Sequence, residues 1–187
     1  RQKADDSALK RGLTPLMIAV NSDKKDVVET ILNSLKDNQQ KIDLLNQQAN
    51  EQAFELYKGL TPLMIAAKKG YTDIVEIILS FLYKFPEEKV QILNKKADIT
   101  AEEYLRGLTP LMIAVIMNEK DVAKTILNSL DNQQKIVLLN QPADDSALED
   151  CYKERTAFMM ATEAGNVEMV RTIVTNLRTL TSEQKVL

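Results

Sequence analysis

A nine-residue motif occurs four times in this chain and decides which kind of fold the chain can adopt. The copies are GLTPLMIAV from Gly12, GLTPLMIAA from Gly59, GLTPLMIAV from Gly107 and the more divergent ERTAFMMAT from Glu154. Their threonines are 47, 48 and 47 residues apart. Self-similarity at a nearly constant spacing predicts a tandem array whose units bury a continuous core between neighbours. Such an array exposes an extended surface, which suits a macromolecular partner better than a small substrate.

Charge and composition exclude several classes of function. The chain carries 24 basic and 27 acidic residues, interspersed along its length, for a net charge of -3. This balance favours neither nucleic acid nor an anionic membrane surface as a partner, and no apolar run approaches the ~20 residues that span a bilayer. Histidine is absent and cysteine occurs once, which excludes His/Cys metal sites and catalytic Cys-His or Ser-His pairs. We therefore expect no cofactor, no metal and no enzymatic activity, and a reducing intracellular compartment such as the cytoplasm.

Each unit carries signals for two consecutive helices, which we call helix A and helix B. In the first three units threonine precedes proline, at 14–15, 61–62 and 109–110, and this pair is typical of an N-cap and the first helical residue. Nine residues after each threonine comes a residue that tolerates the left-handed conformation at a helix end, namely Asp23, Gly70, Asn118 and Gly165. Three residues later an acid complements the dipole of the next helix, as Asp26, Asp73, Asp121 and Glu168. The turn between helices A and B is therefore predicted at the same offset in every unit.

Apolar residues then recur with the period of a helix. The predicted buried stripe of helix B comprises Val27, Val28, Ile31, Leu32 and Leu35, then Ile74, Val75, Ile78, Phe81 and Leu82, then Val122, Ile126, Leu127 and Leu130, and finally Met169, Val170, Ile173, Val174 and Leu177. A short third helix, helix C, is predicted at 38–46, 86–94 and 132–140. Because so short a helix is unstable alone, it should pack on helix B of its own or the adjoining unit. The methionines of helix A, which are Met17, Met64, Met112, Met159 and Met160, are expected in the core.

These motifs resemble the ankyrin repeat family over essentially the whole chain. The G-L-T-P-L start of helix A, the glycines Gly70 and Gly165 that close it, and the aliphatic helix B match the pattern of that family. The resemblance implies an all-α repeat solenoid, extended by one short helix per repeat. It also implies that the segment 95–110 is an inter-helix loop that projects as a finger.

Three differences from the family qualify the resemblance. The spacing exceeds the family's ~33 residues, and the surplus falls at the end of helix B and in helix C. Methionine replaces the histidine that usually follows T-P-L and hydrogen-bonds along the stack, so apolar packing should contribute more here. In the fourth unit Glu154, Arg155 and Ala157 replace glycine, leucine and proline, which indicates a degenerate or terminal unit.

The chain is predicted to form one repeat domain, with units at about 12–58, 59–106, 107–153 and 154–187. Residues 1–11 would end a preceding unit, because ADDSAL occurs at 4–9 and again at 143–148, each time upstream of a helix A. The C-terminal TSEQKVL resembles the start of helix C. We therefore expect the chain to be part of a longer protein.

Tyrosines supply one set of candidate binding residues. Tyr57, Tyr104 and Tyr152 each precede the threonine of a helix A by four or five residues. Tyrosine offers a large contact area at low entropic cost, so these residues are candidate anchors for a protein partner at the finger tips. The alternative is that they pack finger against finger, as their regular placement indicates. Tyr71 and Arg106 are further candidates for contact with a partner.

The last residues of helix A supply a second set, because they vary between units while their surroundings do not. They are Asn21 and Ser22, Lys68 and Lys69, Ile116 and Met117, and Glu163 and Ala164. In the ankyrin family the corresponding face lines a concave groove. The resemblance therefore implies a strip that runs polar, basic, apolar and acidic, with Ile116 and Met117 as an apolar anchor. Alternatively, these residues cover a neighbouring finger.

One acidic cluster resembles a cation site only superficially. Asp144, Asp145, Glu149 and Asp150 lie around Cys151. They lack the alternating oxygen ligands and the central glycine of a Ca²⁺ loop. A solvated loop is therefore predicted, and Cys151 is given no role.

The fold class and the variable surface together predict a non-catalytic scaffold that binds a protein partner on the concave helix A and finger surface. A rigid stack presents such a surface in advance, so little ordering entropy is lost on binding. Two alternatives stay open. In one, the chain is the targeting or substrate-recruiting module of a larger effector enzyme, similar to the ankyrin-containing effectors that intracellular bacteria deliver into host cells, where the partner would be a host protein. In the other, it is an architectural element that packs against the rest of its own parent chain. A monomer is expected, and the partner is unknown.

Overall fold

The computed structural model describes residues 11–144 and 152–178, and these residues form eleven α-helices. In chain order they are α1 (Pro15–Asn21), α2 (Lys25–Ser34), α3 (Asn38–Asn46), α4 (Pro62–Lys69), α5 (Thr72–Leu82), α6 (Pro86–Asn94), α7 (Pro110–Ile116), α8 (Lys120–Asn128), α9 (Asn132–Asn140), α10 (Ala157–Glu163) and α11 (Val167–Arg178). None of these helices is both long and apolar enough to cross a membrane. The expectations for residues 1–10, for the acidic loop at 145–151 and for the C-terminal segment from 179 onward lie outside the described residues.

The helices form three rows, which makes the described chain an all-α repeat solenoid. Helix A is α1, α4, α7 and α10, and each of these packs on the next. Helix B is α2, α5, α8 and α11, and it forms a second row in the same way. Helix C is α3, α6 and α9, at the three predicted positions. It packs along its own row, and α3 and α6 also contact helix A of the following unit.

The start of helix A has the predicted geometry in the first three units, and the fourth unit has the same N-cap hydrogen bond. The threonine at the N-cap accepts a hydrogen bond from the backbone N–H of the methionine three residues later, at 3.2 to 3.4 Å. In the first three units the threonine N–H in turn donates to the Sδ atom of that methionine, at 3.4 to 3.5 Å. Methionine therefore fills the core and also serves as a weak hydrogen-bond acceptor. The sequence analysis predicted only the first of these two roles.

The turns after helix A also follow the prediction. Positive φ angles occur at all four predicted positions, which are Asp23 (52°), Gly70 (71°), Asn118 (61°) and Gly165 (63°). The predicted acid lies in the first turn of helix B in every unit. Local backbone chemistry therefore places both helices, because left-handed residues end helix A and an acid favours the start of helix B.

The segments between units form hairpins that are joined to one another. In the segment 95–110, Ala97 N–H donates to Leu108 O at 2.9 Å and Gly107 N–H donates to Ala97 O at 3.0 Å. Asp98 N–H donates to Gly59 O of the preceding hairpin at 3.1 Å. These hairpins are the fingers that the resemblance predicts, and backbone hydrogen bonds hold neighbouring fingers together.

Polar side chains link positions that are one period apart. Asn166 Nδ2 donates to Asn118 Oδ1 at 2.7 Å, and Gln48 Nε2 donates to Lys96 O at 2.9 Å. Lys25 forms an exposed ion pair with Asp73. Each pair spans 48 residues, which is one period or one residue more than a period. These contacts therefore join equivalent or immediately neighbouring positions of adjacent units and help to define the register of the stack.

A lysine of helix C adds a buried link that the sequence analysis did not foresee. Lys89 is 5% exposed, and its Nζ atom donates to Ser129 O at 2.8 Å, at the end of α8 in the next unit. A cation is favourable there because the C-terminal end of a helix is negative. Lys41 and Lys135 hold the same place in helix C, and Lys135 is also buried. The recurrence of lysine at this position of helix C was the sequence feature from which this link could have been predicted.

Each unit has two apolar faces. We call the face that packs on the preceding unit the leading face, and the one that packs on the following unit the trailing face. In the second unit the leading face comprises Ile65, Ile74 and Ile78 and the trailing face Met64, Val75 and Leu79, all buried. In the first described unit the leading positions Ile18, Val27 and Ile31 are partly exposed, and in the fourth unit the trailing positions Met159, Val170 and Val174 are partly exposed. Burial of each face therefore depends on a neighbouring unit.

This arrangement corrects two predictions. Val27 was assigned to the buried stripe of helix B but is 46% exposed, and Met159 was assigned to the core but is 47% exposed. Both side chains occupy positions that are buried in the other described units. They are exposed because no described residue provides the neighbouring face that would cover them.

Truncation of a core residue of helix B should destabilise the stack. Leu127 is fully buried, so Leu127→Ala is expected to lower the free energy of unfolding by about 2 to 5 kcal/mol. Val27→Ala is the control, because Val27 is half-exposed, and its effect should stay within about 0.5 kcal/mol. Urea unfolding followed by circular dichroism measures both variants. Equal effects would contradict the assignment of the two faces.

Alanine substitutions at two glycines distinguish the cost of a strained backbone from the cost of pushing neighbouring fingers apart. Gly59 has a φ of 66°, and a Cβ atom built there would lie 2.9 Å from Ala101 N in the next finger. Gly165 has a φ of 63°, and a Cβ atom there would meet nothing within 4 Å. Gly165→Ala should therefore cost about 1 to 2 kcal/mol from the left-handed backbone alone.

Gly59→Ala should cost a further ~1 to 3 kcal/mol, because the added methyl group pushes two fingers apart. Thermal and urea unfolding of both variants measure this difference in free energy. If Gly165→Ala lowered the free energy of unfolding as much as Gly59→Ala, the close contact between fingers would make no separate contribution to the cost.

Candidate functional site

The predicted binding residues lie at the ends of helix A and in the fingers, and we call this the helix A/finger surface. It comprises the last residues of α1, α4, α7 and α10 together with the fingers at 47–61 and 95–109 and the described end of the finger before α10. The turns that follow helix A, described above, fix where the last residues of each helix A lie. The fingers are positioned by their own hairpin bonds and by the bond to the preceding finger.

Lys68 connects α4 to two fingers. Its Nζ atom donates to Leu56 O at 3.0 Å and pairs with the carboxylate of Glu102. Tyr104 OH donates to the same carboxylate at 2.9 Å, and the ammonium group lies 5.7 Å from the centroid of the Tyr104 ring. The side chain of Lys68 is only 11% exposed. Lys68 and Tyr104 are thus engaged within the stack, and charge reversal at Lys68 would disturb the fingers as well as any contact with a partner.

The surroundings of Tyr104 raise its pKa to about 12. The main cause is burial, which disfavours the phenolate. The hydrogen bond to Glu102 and the negative charge of that carboxylate act in the same direction. The phenol therefore keeps its proton at neutral pH and can donate the hydrogen bond to Glu102.

Other candidates in the second and third units also support the fingers. Tyr57 is 6% exposed and belongs to the core, which favours the interpretation that it packs fingers together. Lys69 is exposed, with its Nζ atom 5.7 Å from the centroid of the Tyr57 ring. Arg106 Nε donates to Ala101 O within its own finger at 2.9 Å, and Tyr71 packs partly buried against the core. Lys69 is the most exposed of these four residues, so its charge is accessible to a partner.

The first unit contributes a small polar patch. Ser22 is exposed at the end of α1, and its N–H donates to Ile18 O. Asn21 is partly buried, and its buried Oδ1 atom accepts no hydrogen bond from the residues that the structure describes. A buried oxygen without a donor is costly unless water or a ligand supplies one. Asn21 therefore stays a candidate polar contact at this end of the surface.

The third and fourth units bring four predicted residues, Ile116, Tyr152, Glu163 and Ala164, into one cleft. Ile116 at the end of α7, Tyr152 in the finger and Glu163 at the end of α10 line a volume of about 560 Å³. The other lining residues come from the same two helix ends and the turns that follow them: Val115, Asn118, Met160, Ala164 and Asn166. Met117 caps α7 beside Ile116 and packs partly buried against the core. The volume lies within the ~300 to 1,000 Å³ that is usual for ligand clefts.

The cleft has an apolar floor and a polar rim. Val115 and Met160 are 4% and 3% exposed and form part of the floor. On the rim, Asn166 donates to Asn118 across the two units, and Glu163 pairs with Arg155 at 2.8 Å. This combination can hold an apolar side chain of a partner, while the amides and the carboxylate at the rim accept or donate hydrogen bonds.

A further groove lies on the helix B row and was not foreseen from the sequence. Its volume is about 540 Å³ between α5 and α8. Tyr83, which is 79% exposed, lies on its edge. The available signal was an aromatic residue just beyond the apolar stripe of helix B.

Comparison with known proteins identifies one family. The family described as "Ankyrin repeats (3 copies)" matches residues 2–84 and, in a second overlapping match, residues 36–136. Together the matches span well over half of the 187 residues. No curated protein matches the chain.

The raised pKa of Tyr104 predicts a loss of stability in alkali. Between the ordinary tyrosine pKa of about 10 and the folded value of about 12, the unfolded chain loses the phenolic proton while the folded chain keeps it. The stabilisation is thus complete below pH ~10 and is lost as the pH rises through about 12. Subtracting the tyrosinate absorbance curve of Tyr104→Phe from that of the unmutated chain isolates this phenol.

Glu102→Gln is the matched control for this titration. Loss of the carboxylate removes a charge and a charged acceptor that raise the pKa, so the midpoint of the difference curve should move to lower pH. A midpoint near the ordinary value of about 10 in the unmutated chain would show that Tyr104 is not held in this cluster.

Proposed function

The chain belongs to the ankyrin repeat family, and from that membership we propose that it is a non-catalytic scaffold that binds a partner protein at the helix A/finger surface. Ankyrin repeats are in general protein-protein interaction modules. The observation that carries the proposal is the cleft where Ile116, Tyr152 and Glu163 of two adjacent units meet. The partner would insert an apolar side chain between these residues.

The rigidity of the fingers supports this proposal. Backbone hydrogen bonds join successive fingers, and the group formed by Lys68, Glu102 and Tyr104 holds α4 to the finger that follows it. A surface fixed in this way loses little conformational entropy when a partner binds. The binding free energy can then come from a small number of buried contacts.

The distribution of charge defines the kind of partner. Lys69 offers an exposed positive charge in the second unit, and the acidic Glu163 lies on the rim of the cleft in the fourth. The apolar cleft lies between α7 and α10. A segment of the partner that carries an acidic residue followed by an apolar anchor would match the surface, whereas a basic residue beyond the anchor would have to compete with Arg155 for Glu163. Rim charges of this kind contribute chiefly to orientation and association rate.

A substitution that fills the cleft tests the proposal. Ala164 is exposed at the end of α10 and lines the cleft, so Ala164→Arg should block the anchor without removing a packed side chain. The chain is immobilised, its ligands are captured from lysate and identified by mass spectrometry, and the affinity of each ligand is then measured with purified protein. The affinity is expected to fall at least about tenfold, which corresponds to ~1.4 kcal/mol.

The control is Asn128→Arg, which adds the same side chain to an exposed residue that lines the separate groove on the helix B row. It should leave the affinity unchanged. The double variant Ile116→Asp with Met117→Asp should also lower the affinity. Its affinity is interpreted only if its thermal unfolding matches that of the unmutated chain. Equal affinity of the ligand for the Ala164→Arg and Asn128→Arg variants would show that the ligand does not bind in the cleft.

A further inference from the structure

The corner between α5 and α6 in the second unit differs from the same corner in the first and third units. Phe81 and Phe85 lie at this corner. The equivalent residues are Ser34 and Asp37 in the first unit and Ser129 and Asp131 in the third. Each aspartate caps helix C through its side chain, whereas Phe85 at the same N-cap makes no side-chain hydrogen bond. The second unit thus lacks a favourable cap and carries two aromatic rings instead, and a local rule broken in this way is typical of a functional site.

The two phenylalanines line a groove between the first and second units, which we call the corner groove. Its volume is about 550 Å³, and its walls come from α2 and α3 on one side and from α5 and the residues that follow it on the other. The two rings are partly buried, with their centroids 5.4 Å apart. Leu32 and Ile77 add apolar surface to the lining.

The corner groove lies within the stack. Both units that form it are described, and the third unit follows them. Leu32 is 2% exposed and holds the position in α2 that Leu79 holds in α5, so it belongs to the trailing side of the first unit. A preceding unit would pack on the leading face of that unit instead. The exposure of the groove therefore does not depend on where the described residues begin or end.

Two lysines give the corner groove a positive charge. The Nζ atom of Lys41 lies 5.4 Å from the centroid of the Phe81 ring, and Lys84 is exposed on the lining. Neither ammonium group forms an ion pair within the part of the chain that the structure describes. Glu29 carries the one negative charge among the described lining residues. Both lysines are therefore available to a negatively charged group.

We propose that the corner groove binds a segment of a partner protein in which a large apolar side chain lies next to an acidic residue. The apolar side chain packs on the rings of Phe81 and Phe85, and the carboxylate pairs with Lys41 or Lys84. Charge complementarity selects this occupant, because the lining carries two lysines against one glutamate. Aromatic rings at the centre of such a contact supply most of its binding energy.

A nucleic acid fits the corner groove less well. Its bases would stack on the aromatic rings, but its phosphates would also lie close to Glu29 and to Glu87 at the start of α6, which are both exposed. One carboxylate next to an apolar side chain needs only the two lysines. The corner groove is thus a second surface for protein binding, separate from the helix A/finger surface.

Selection from a random peptide library displayed on phage tests this proposal. The bait is the full chain of 187 residues, and peptides that also bind the double variant Phe81→Ser with Phe85→Asp are removed. This variant gives the second unit the residues of the first and third units. The new aspartate can cap α6, so the variant should fold. The retained peptides are expected to share a large apolar residue next to Asp or Glu.

Calorimetric titration with a synthetic copy of a retained peptide then tests the charge. Lys84→Glu is expected to lower the affinity at least about tenfold. Lys124→Glu is the matched control, because it reverses an exposed charge on α8. Phe54→Ser is the control for the aromatic rings, since Phe54 is 41% exposed in a finger. Both controls should leave the affinity unchanged, and circular dichroism checks that every variant is folded.

Three results would overturn the proposal: a selection that yields no peptide dependent on the two phenylalanines, retained peptides without an acidic residue, or equal affinity for the Lys84→Glu and Lys124→Glu variants. Binding of single-stranded poly(U) RNA that the double variant loses would also overturn it, because the ligand would then be a nucleic acid. Ala164→Arg should not alter the affinity for the retained peptides. Failure at the corner groove therefore leaves the function proposed for the cleft intact, and failure at the cleft leaves this proposal intact.

Discussion

Packing of the trailing face of each unit on the leading face of the next is the interaction on which the whole structure depends. A helix pair of this size cannot bury its apolar surface alone, so each unit is stable only with a neighbour. The exposure of Val27 and Met159 at the two ends of the described stack follows from this rule.

Polar contacts repeat with the same period and give the apolar stack its register. Asn118 and Asn166, for example, are 48 residues apart and join adjacent units at nearly the same place in the repeat. The added helix C contributes to the same purpose, because Lys89 reaches from α6 to the end of α8. The surplus length that separates this chain from the usual ankyrin repeat thus adds a third row of helices and a further connection between units.

The function proposed for the surface follows from what this framework leaves free. Lys68, Tyr57 and Arg106 were predicted as candidates for binding, yet their polar groups or rings are engaged within the fingers and the core. Lys69 and the cleft beside Ile116 are open to a partner. The distinction matters because a side chain that already has internal partners must give up those contacts before it contributes to binding.

The sequence by itself determined the repeat, the class of fold and the bounds of helix C, as well as the turns at Asp23 and Asn118. These features depend on residues within one or two turns of each other, so local caps, left-handed positions and apolar period suffice to predict them. Only the tertiary structure decided that Lys68 pairs with Glu102, that Val27 is exposed and that Ile116, Tyr152 and Glu163 share a cleft. Those outcomes depend on side chains that lie in different helices and fingers, and their mutual distances are set by how units stack.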